Sequence, residues 1–271
     1  MGTLGIEARV RLTGGPGEAR RLGREAAEGR SPLVVVLGGD GTLHEALNGI
    51  MEAAEAGHPL PRLAQVPLGT GNSFIKDLGI GTFEEGLSAL EGGRFRRVDL
   101  GLGRSSAGAF WFINLTGAGF VARVARRAAF FKIFGDLAYT IAVLLELPGL
   151  RTPRLDLLVD GVASSRDAVF IEVCNSRKTG GDMIMAPAAL VDDGRLDVVV
   201  ARRMTRRQLL ALFPLIFSGR HVESPLVETF TCSRIEARFA KPEPVTPDGE
   251  LIGDTPLSIE VLPGAIEVCC R

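Results

Sequence analysis

The sequence predicts two units: a doubly wound α/β sheet over residues 1–100, then an all-β fold with helical insertions over 101–271. Three observations carry this. The first hundred residues alternate apolar runs with stretches of helical period, as βαβ units do. Beyond about Leu100, short strand-like runs follow one another with Asp-Gly turn signals between them. The 271 residues, 46% hydrophobic and 23% charged, suffice to bury one or two cores.

In order, Ala8–Leu12 reads as a short strand and Gly17–Glu28 as a helix. Leu33–Leu37 is a continuous apolar run, the signature of a strand buried on both faces of a parallel sheet. Thr42–Ala56 is a helix with Leu43, Ala46, Leu47 and Ile50 on one side, and Leu63–Leu68 is the next strand. Thr82–Glu91 is a helix opened by Thr82-x-x-Glu85, a capping box in which each end of the motif satisfies a free N–H of the other. Ala109–Leu115 is strand-like; Phe120–Phe134 and Asp136–Leu147 read as helices. The strands that follow are Arg154–Val159, Asp167–Cys174, Leu196–Ala201, Arg234–Phe239 and Leu257–Leu262, with one helix over Thr205–Phe217.

Composition narrows the function. With 31 Lys+Arg against 32 Asp+Glu, the chain is not a dedicated nucleic-acid binder. Cys174, Cys232, Cys269 and Cys270 have no zinc spacing among them or with the three histidines, and they suit a reducing compartment. No basic-then-apolar leader opens the chain, and no apolar run approaches the ~20 residues of a membrane span. A soluble, cytoplasmic protein is expected. Glycine stands out: 34 residues, nearly twice the usual share of about 7%.

Some of that glycine has a chemical reading. Gly38-Gly39-Asp40-Gly41-Thr42 lies between the most apolar strand and a helix, where backbone N–H groups at a helix start complement phosphate oxygens. Thr42-x-x-Glu45 reads as a capping box, and Asp40 is placed to hold Mg²⁺ directly or through water. A tight turn before a capped helix is the other reading of the same residues. Gly69-Thr70-Gly71-Asn72 also follows a strand directly. Alone it is as much a turn as a site, but loops after parallel strands emerge at one sheet edge, so the two together can line one nucleotide site. Asp248-Gly249-Glu250 and Asp193-Gly194 read, from the residues alone, as hairpin turns.

Gly-Gly-Asp-Gly-Thr (38–42) followed by Pro67-Leu68-Gly69-Thr70-Gly71-Asn72-x-Phe74 resembles the diacylglycerol kinase catalytic family. That family comprises bacterial lipid kinases and their sphingosine and ceramide kinase relatives. The similarity continues through Val98-Asp99-Leu100-Gly101, Phe112-Ile113-Asn114, Gly180-Gly181-Asp182-Met183-Ile184-Met185-Ala186-Pro187, Asp192-Asp193-Gly194-Arg195-Leu196-Asp197 and Asp248-Gly249-Glu250, nearly the whole chain. It implies an NAD kinase-like α/β domain, a β-sandwich-like second domain, and ATP- and Mg²⁺-dependent phosphorylation of a lipid hydroxyl in phospholipid metabolism. By resemblance, Gly38, Gly39, Asp40, Gly41, Thr42, Gly69, Thr70, Gly71 and Asn72 contact ATP, with Thr13 at the site's edge. Asp40 and Asp99 organise the catalytic Mg²⁺, and a second Mg²⁺ takes Asp193 and the carbonyls of Leu190 and Arg195. Glu250 or Asp248 is the base, Glu250 being favoured. An NAD kinase and a catalytically impaired nucleotide- or lipid-binding relative are the alternatives.

Two departures accompany the match. The family's usual first strand, ending in Asn-Pro-x-x-Gly, has no counterpart because no Asn-Pro dipeptide occurs, so the first strand reads as missing. Ser73 stands where many members carry Asp. Two basic apolar segments, with Arg123, Arg126, Arg127 and Lys132 beside Phe130, Phe131 and Phe134, and with Arg202, Arg203, Arg206 and Arg207 before Leu209, suit a peripheral position at the inner membrane face. Arginines in solvent beside core apolar residues are the other, plainer reading of both segments. His44 and His221 read as packing or hydrogen-bonding residues.

Overall fold

The computed structural model describes residues 8–69, 71–134 and 137–271, with side chains omitted for 132–134. Thr70, Asp136 and the side chains of Lys132 and Phe134 lie outside the described residues. The first unit is built on strand β1 (Leu33–Gly38), paired in parallel with β2 (Arg62–Pro67) from Leu33↔Arg62 to Gly38↔Pro67. Helices α1 (Glu18–Glu28) and α2 (Asp40–Glu55) cross in backbone contact: a Cβ on Gly49 would stand 1.8 Å from the Arg20 carbonyl oxygen, and one on Gly23 2.3 Å from that of Ala46. Only glycine permits that approach.

Two expectations fail in this region. Ala8–Leu12 forms no strand; Val10 and Leu12 are exposed, because alternating side chains do not suffice without a partner and β1 closes that end of the sheet. The Thr42–Glu45 box also does not form. Helix α2 begins at Asp40, two residues early, and Glu45 instead accepts the N–H groups of Gly17 (2.7 Å) and Ala19 (3.2 Å). It thereby supplies the acceptor that α1's own N-cap, Gly17, lacks. The box at Thr82 and Glu85 does open its helix, α4 (Phe83–Gly92), after the short α3 (Ser73–Asp77).

Antiparallel strands β3 (Phe95–Ser105), β4 (Gly108–Phe112) and β5 (Leu115–Gly119) follow. Gly101 and Gly103 of β3 lie beneath the rings of Phe112 and Phe110, where a Cβ would come within 2.0 and 2.3 Å of ring carbons. Helix α5 (Phe120–Ala128) tightens into a 3-10 stretch and is followed by α6 (Leu137–Glu146). Then come β6 (Arg154–Val159), β7 (Val162–Cys174), the hairpin β8 (Lys178–Thr179) and β9 (Met183–Ile184), and β10 (Leu196–Arg202). Helix α7 (Arg206–Leu212) stops short of the expected Phe217, since Pro214 has no N–H to continue an α-helix and the chain winds on as 3-10. The remaining strands are β11 (Val227–Cys232), β12 (Arg234–Phe239), β13 (Val245–Pro247) and β14 (Leu257–Cys269).

The strands join in the order β1-β2-β14-β12-β6-β7-β10-β11, with β3 also on β14, and β5 joining β7 to β13. This mixed α/β architecture with a β-sandwich-like second half matches the expected fold class. Long β14 serves both halves. Leu257–Glu260 lies between β12 and β3, while Ile266–Cys269 pairs with β3 and, at Val268↔Leu63, with β2. One core packs beneath β1, β2 and β3 against α2; a second fills the sandwich; a third sits between β5, β7 and β10 and the helices α5, α6 and α7.

Candidate active site

The two glycine loops meet. The loop after β1 runs straight into α2, and the loop after β2 runs into α3; a Cβ on Gly69 would lie 2.5 Å from Gly39 Cα. A Cβ on Gly71 would lie 2.8 Å from Asp40 Oδ2, so Gly71 passes directly over that carboxylate. Thr42 packs on Gly38, and Asn72, at φ 51°, folds its side-chain amide back onto the Gly69 carbonyl at 2.5 Å. Asp40, first in α2, accepts the Ser73 N–H at 2.9 and 3.1 Å, and burial, followed by the charge of Asp248, pushes its carboxyl up against those hydrogen bonds.

Asp248 and Glu250 differ sharply. The buried Asp248 carboxylate accepts from the N–H groups of Ile113 (3.3 Å), Asn114 (3.0 Å) and Leu115 (3.2 Å) and from His44 Nδ1 (2.9 Å). His44 lies one helical turn from Asn48 on α2, and Asn48 pairs with both the N–H and the carbonyl of Trp111. Every acceptor position of Asp248 is thus engaged in tying the first unit to the second. Glu250 is exposed, and its carboxylate makes no hydrogen bond or ion pair among the described residues. Its Oε1 reaches over Gly41, where a Cβ would come within 2.7 Å.

Asp99 lies elsewhere. It faces the bulge that interrupts β14 pairing between Leu262 and Ile266, and its two oxygens accept the N–H groups of Gly194 and Gly264, each at 2.7 Å. The structure therefore groups Asp99 with Asp192, Asp193 and Gly194 rather than with Asp40. Asp193 Oδ1 accepts the Arg195 N–H at 3.0 Å, Leu190 is exposed, and Asp192 pairs with Arg96. Thr13 is exposed in the segment before α1, with no hydrogen bond to the glycine loops among the described residues. Among the described residues, no three His, Cys, Asp or Glu side chains form a metal-binding group. A Mg²⁺ ion, which dehydrates reluctantly and relies on substrate phosphates, asks for less: one part-buried carboxylate with no ion pair among the described residues, as Asp40 is, fits it.

Sequence reading missed the wall of this site. Gly181, in the β8–β9 turn, donates its N–H to Ser73 Oγ at 3.0 Å, and Asp182 pairs with Lys76 at 3.0 Å. The same hairpin, through Thr179 and Met183, lines an apolar pocket shared with Phe120, Tyr139, Phe170 and Met204. Arg123, grouped by sequence with surface cations, is instead buried in an ion pair with Glu243, and Phe120 packs at 5.8 Å beneath its guanidinium. Burial of both partners explains the departure, since neither charge is tolerable there alone.

Two glycine loops thus meet at one sheet edge, a hairpin away from an apolar pocket, and comparison with known proteins identifies the family. The family model for the diacylglycerol kinase catalytic domain matches residues 1–102, and that for the YegS C-terminal NAD kinase beta sandwich-like domain matches residues 114–270. The chain is 30% identical over 270 residues to a probable lipid kinase YegS-like of Stenotrophomonas maltophilia (strain K279a), covering 97% of this chain and 87% of that one. It is 32% identical over 265 residues to a diacylglycerol kinase of Mycobacterium tuberculosis (strain ATCC 25618 / H37Rv), covering 96% and 84%. A crystal structure of a diacylglycerol kinase from Bacillus anthracis str. Sterne shares the fold, with TM-score 0.71 and 21% identity over 96% of this chain and 83% of that one. The chain belongs to the diacylglycerol kinase family of lipid kinases.

Proposed function

We propose that this lipid kinase transfers the γ-phosphoryl group of ATP, with Mg²⁺, to the hydroxyl of diacylglycerol or a related neutral lipid. The observation that carries this is the carboxylate of Glu250, without a partner among the described residues and held over Gly41 at the start of α2. Phosphoryl transfer is mostly positioning and charge neutralisation, with a base in reach of the attacking hydroxyl. The N–H groups of the two loops and of the α2 N-terminus cradle the phosphates. Glu250 takes the lipid hydroxyl proton as its oxygen attacks the γ-phosphorus and ADP leaves. Asp248, with no acceptor position free, aligns the turn that carries Glu250. Bound Mg²⁺ supplies charge neutralisation for the phosphates, with Asp40 as its protein partner. The second Mg²⁺, at Asp193 and the carbonyls of Leu190 and Arg195, belongs to this reading, with Asp99 positioning its loop.

The pocket side suits a lipid reached from a membrane surface. Phe130 (81% exposed), Leu137, Leu144 and Phe217 project from the helices around it, beside the exposed Arg126, Arg202 and Arg207. No helix of the described residues is long and apolar enough to cross a membrane. In this reading the exposed apolar and basic side chains make peripheral contact with the inner, cytoplasmic membrane face. Incubation of the full chain with labelled ATP, Mg²⁺ and a panel of lipids tests the proposal. Labelled diacylglycerol product is expected, and its absence from a folded preparation, with NAD phosphorylated instead, overturns it.

A further inference from the structure

The apolar pocket is not wholly apolar. Glu172 stands near the end of β7 with 3% of its surface exposed, and His221 reaches in from the 3-10 turn after α7 with 2% exposed; both line the pocket. Each has one buried atom without a partner, Glu172 Oε2 and His221 Nδ1. Such atoms are rare and costly in a folded protein. Gly117, directly opposite Glu172 on β5, makes room for it: a Cβ there would lie 2.8 Å from Glu172 Cδ. The fold has opened a space for this carboxyl and given it nothing to bind.

The protonation states make the pair complementary. His221 Nε2 is 3.0 Å from the Met185 carbonyl oxygen, which can only accept, so the proton sits on Nε2 and Nδ1 is a bare acceptor. Burial lowers the His221 pKa, keeping the ring neutral. Burial likewise pushes the Glu172 carboxyl up to about 8, so it carries its proton at neutral pH and can donate. The pocket therefore offers one donor and one acceptor inside an apolar wall, and no net charge.

We propose that Glu172 and His221 are the polar recognition point for an uncharged acylglycerol, with the Glu172 carboxyl donating to an ester carbonyl and His221 Nδ1 accepting from a hydroxyl. The inference rests on the reading that a neutral lipid is the acceptor, and it specifies which neutral lipids qualify. An ammonium-bearing sphingoid base would require Glu172 to be ionised; a plain hydrocarbon would leave both atoms unpaired.

The test is calorimetric titration of the full chain, without nucleotide, with dioctanoylglycerol and separately with a short-chain sphingoid base. Glu172→Gln, which keeps a neutral donor, is expected to hold dioctanoylglycerol affinity within about threefold, while Glu172→Leu and His221→Leu each weaken it by about tenfold, the worth of a buried hydrogen bond. Glu172→Leu is expected to melt no lower than the parent, so that lost binding cannot be lost folding. Unchanged binding by Glu172→Leu, equal loss in Glu172→Gln and Glu172→Leu, Glu172-dependent preference for the sphingoid base, or no dioctanoylglycerol binding by the parent would each overturn the proposal. Kinase assays on the same variants separate it from the functional reading. Dioctanoylglycerol that binds with the expected pattern yet is never phosphorylated overturns that reading alone. Phosphorylation with a KM that Glu172→Leu leaves unmoved overturns this inference alone.

Discussion

The two sides of the β8–β9 hairpin treat buried carboxyl groups in opposite ways. On the loop side, the part-buried Asp40 shares the Ser73 N–H between its two oxygens, and the buried Asp248 accepts three backbone amides and His44. On the pocket side, Glu172 has an oxygen with no partner and a pKa raised by desolvation. Oriented N–H groups oppose the desolvation that burial imposes on a carboxylate; among Phe, Met and Val nothing opposes it, and burial pushes the Glu172 carboxyl up to about 8. The hairpin thus separates a side rich in backbone donors from an apolar one.

That contrast can be broken first at Glu250, the carboxylate left free on the loop side. Glu250→Gln is expected to cut kcat by about 100- to 10,000-fold, the usual worth of a general base, with little change in melting temperature. A variant with near-parental kcat would remove Glu250 from the chemistry. Asp248→Ala probes the compensated partner: three amides and His44 lose their acceptor, and a loss of about 3 kcal/mol or more in denaturant unfolding is expected. Stability unchanged by that substitution would mean the amides find other acceptors, and the contrast with Glu250 would collapse.

Glu172 sharpens the other side through pH. Its folded pKa of about 8 lies above the ordinary 4.5, so the folded state holds a proton the unfolded chain has released. Stability from this group is full below the unfolded value and declines as pH rises through the folded one. Tyr139 and His221 share its pocket and Cys174 follows it on β7; burial pushes Tyr139 and Cys174 up and His221 down, keeping all three neutral near pH 7. Chemical unfolding of Glu172→Gln against the parent should therefore show an advantage for the variant that grows between pH 5 and pH 8, at about 1.4 kcal/mol per unit at most. A constant difference across that range would place a partner on the carboxyl. The smallest effect is expected at Glu45, whose replacement by Ala removes the acceptor at the start of α1 and costs about 1 kcal/mol in thermal melts. A neutral result would return Glu45 to its own helix.

How much of this was legible in the sequence depended on how far apart the partners lie. The glycine loops could be read because each is a few contiguous residues after a strand, and the close approach of Gly39 to Gly69 is the reason both positions are glycine. Asp99 could not be placed, because its partners Gly194 and Gly264 are distant in the chain and meet it only at a bulge of β14. Thr42 and Glu45 had the spacing of a box, but the helix starts where the turn releases it, at Asp40. Glu172 was hidden by type: in Phe170-Ile171-Glu172-Val173 it reads as the solvent side of a strand, and only the sheet order shows β7 flanked on both sides and covered by helices. The rest of the glycine excess was hidden for the same reason. Gly23, Gly49, Gly101 and Gly103 serve helix crossings and stacked rings rather than phosphate or turns.

Strand β14 gives the molecule an order of assembly. Leu63, in the strand that launches the second glycine loop, finds its outer neighbour only in Val268. During synthesis, then, the sheet edge that presents both loops stays open on one side while the whole second half of the chain is being made. Pairings across such separations are slow to form and leave strand edges free to stick to other chains. A nascent chain of this kind cannot close the sheet beneath its glycine loops before the strands around its apolar pocket have been made.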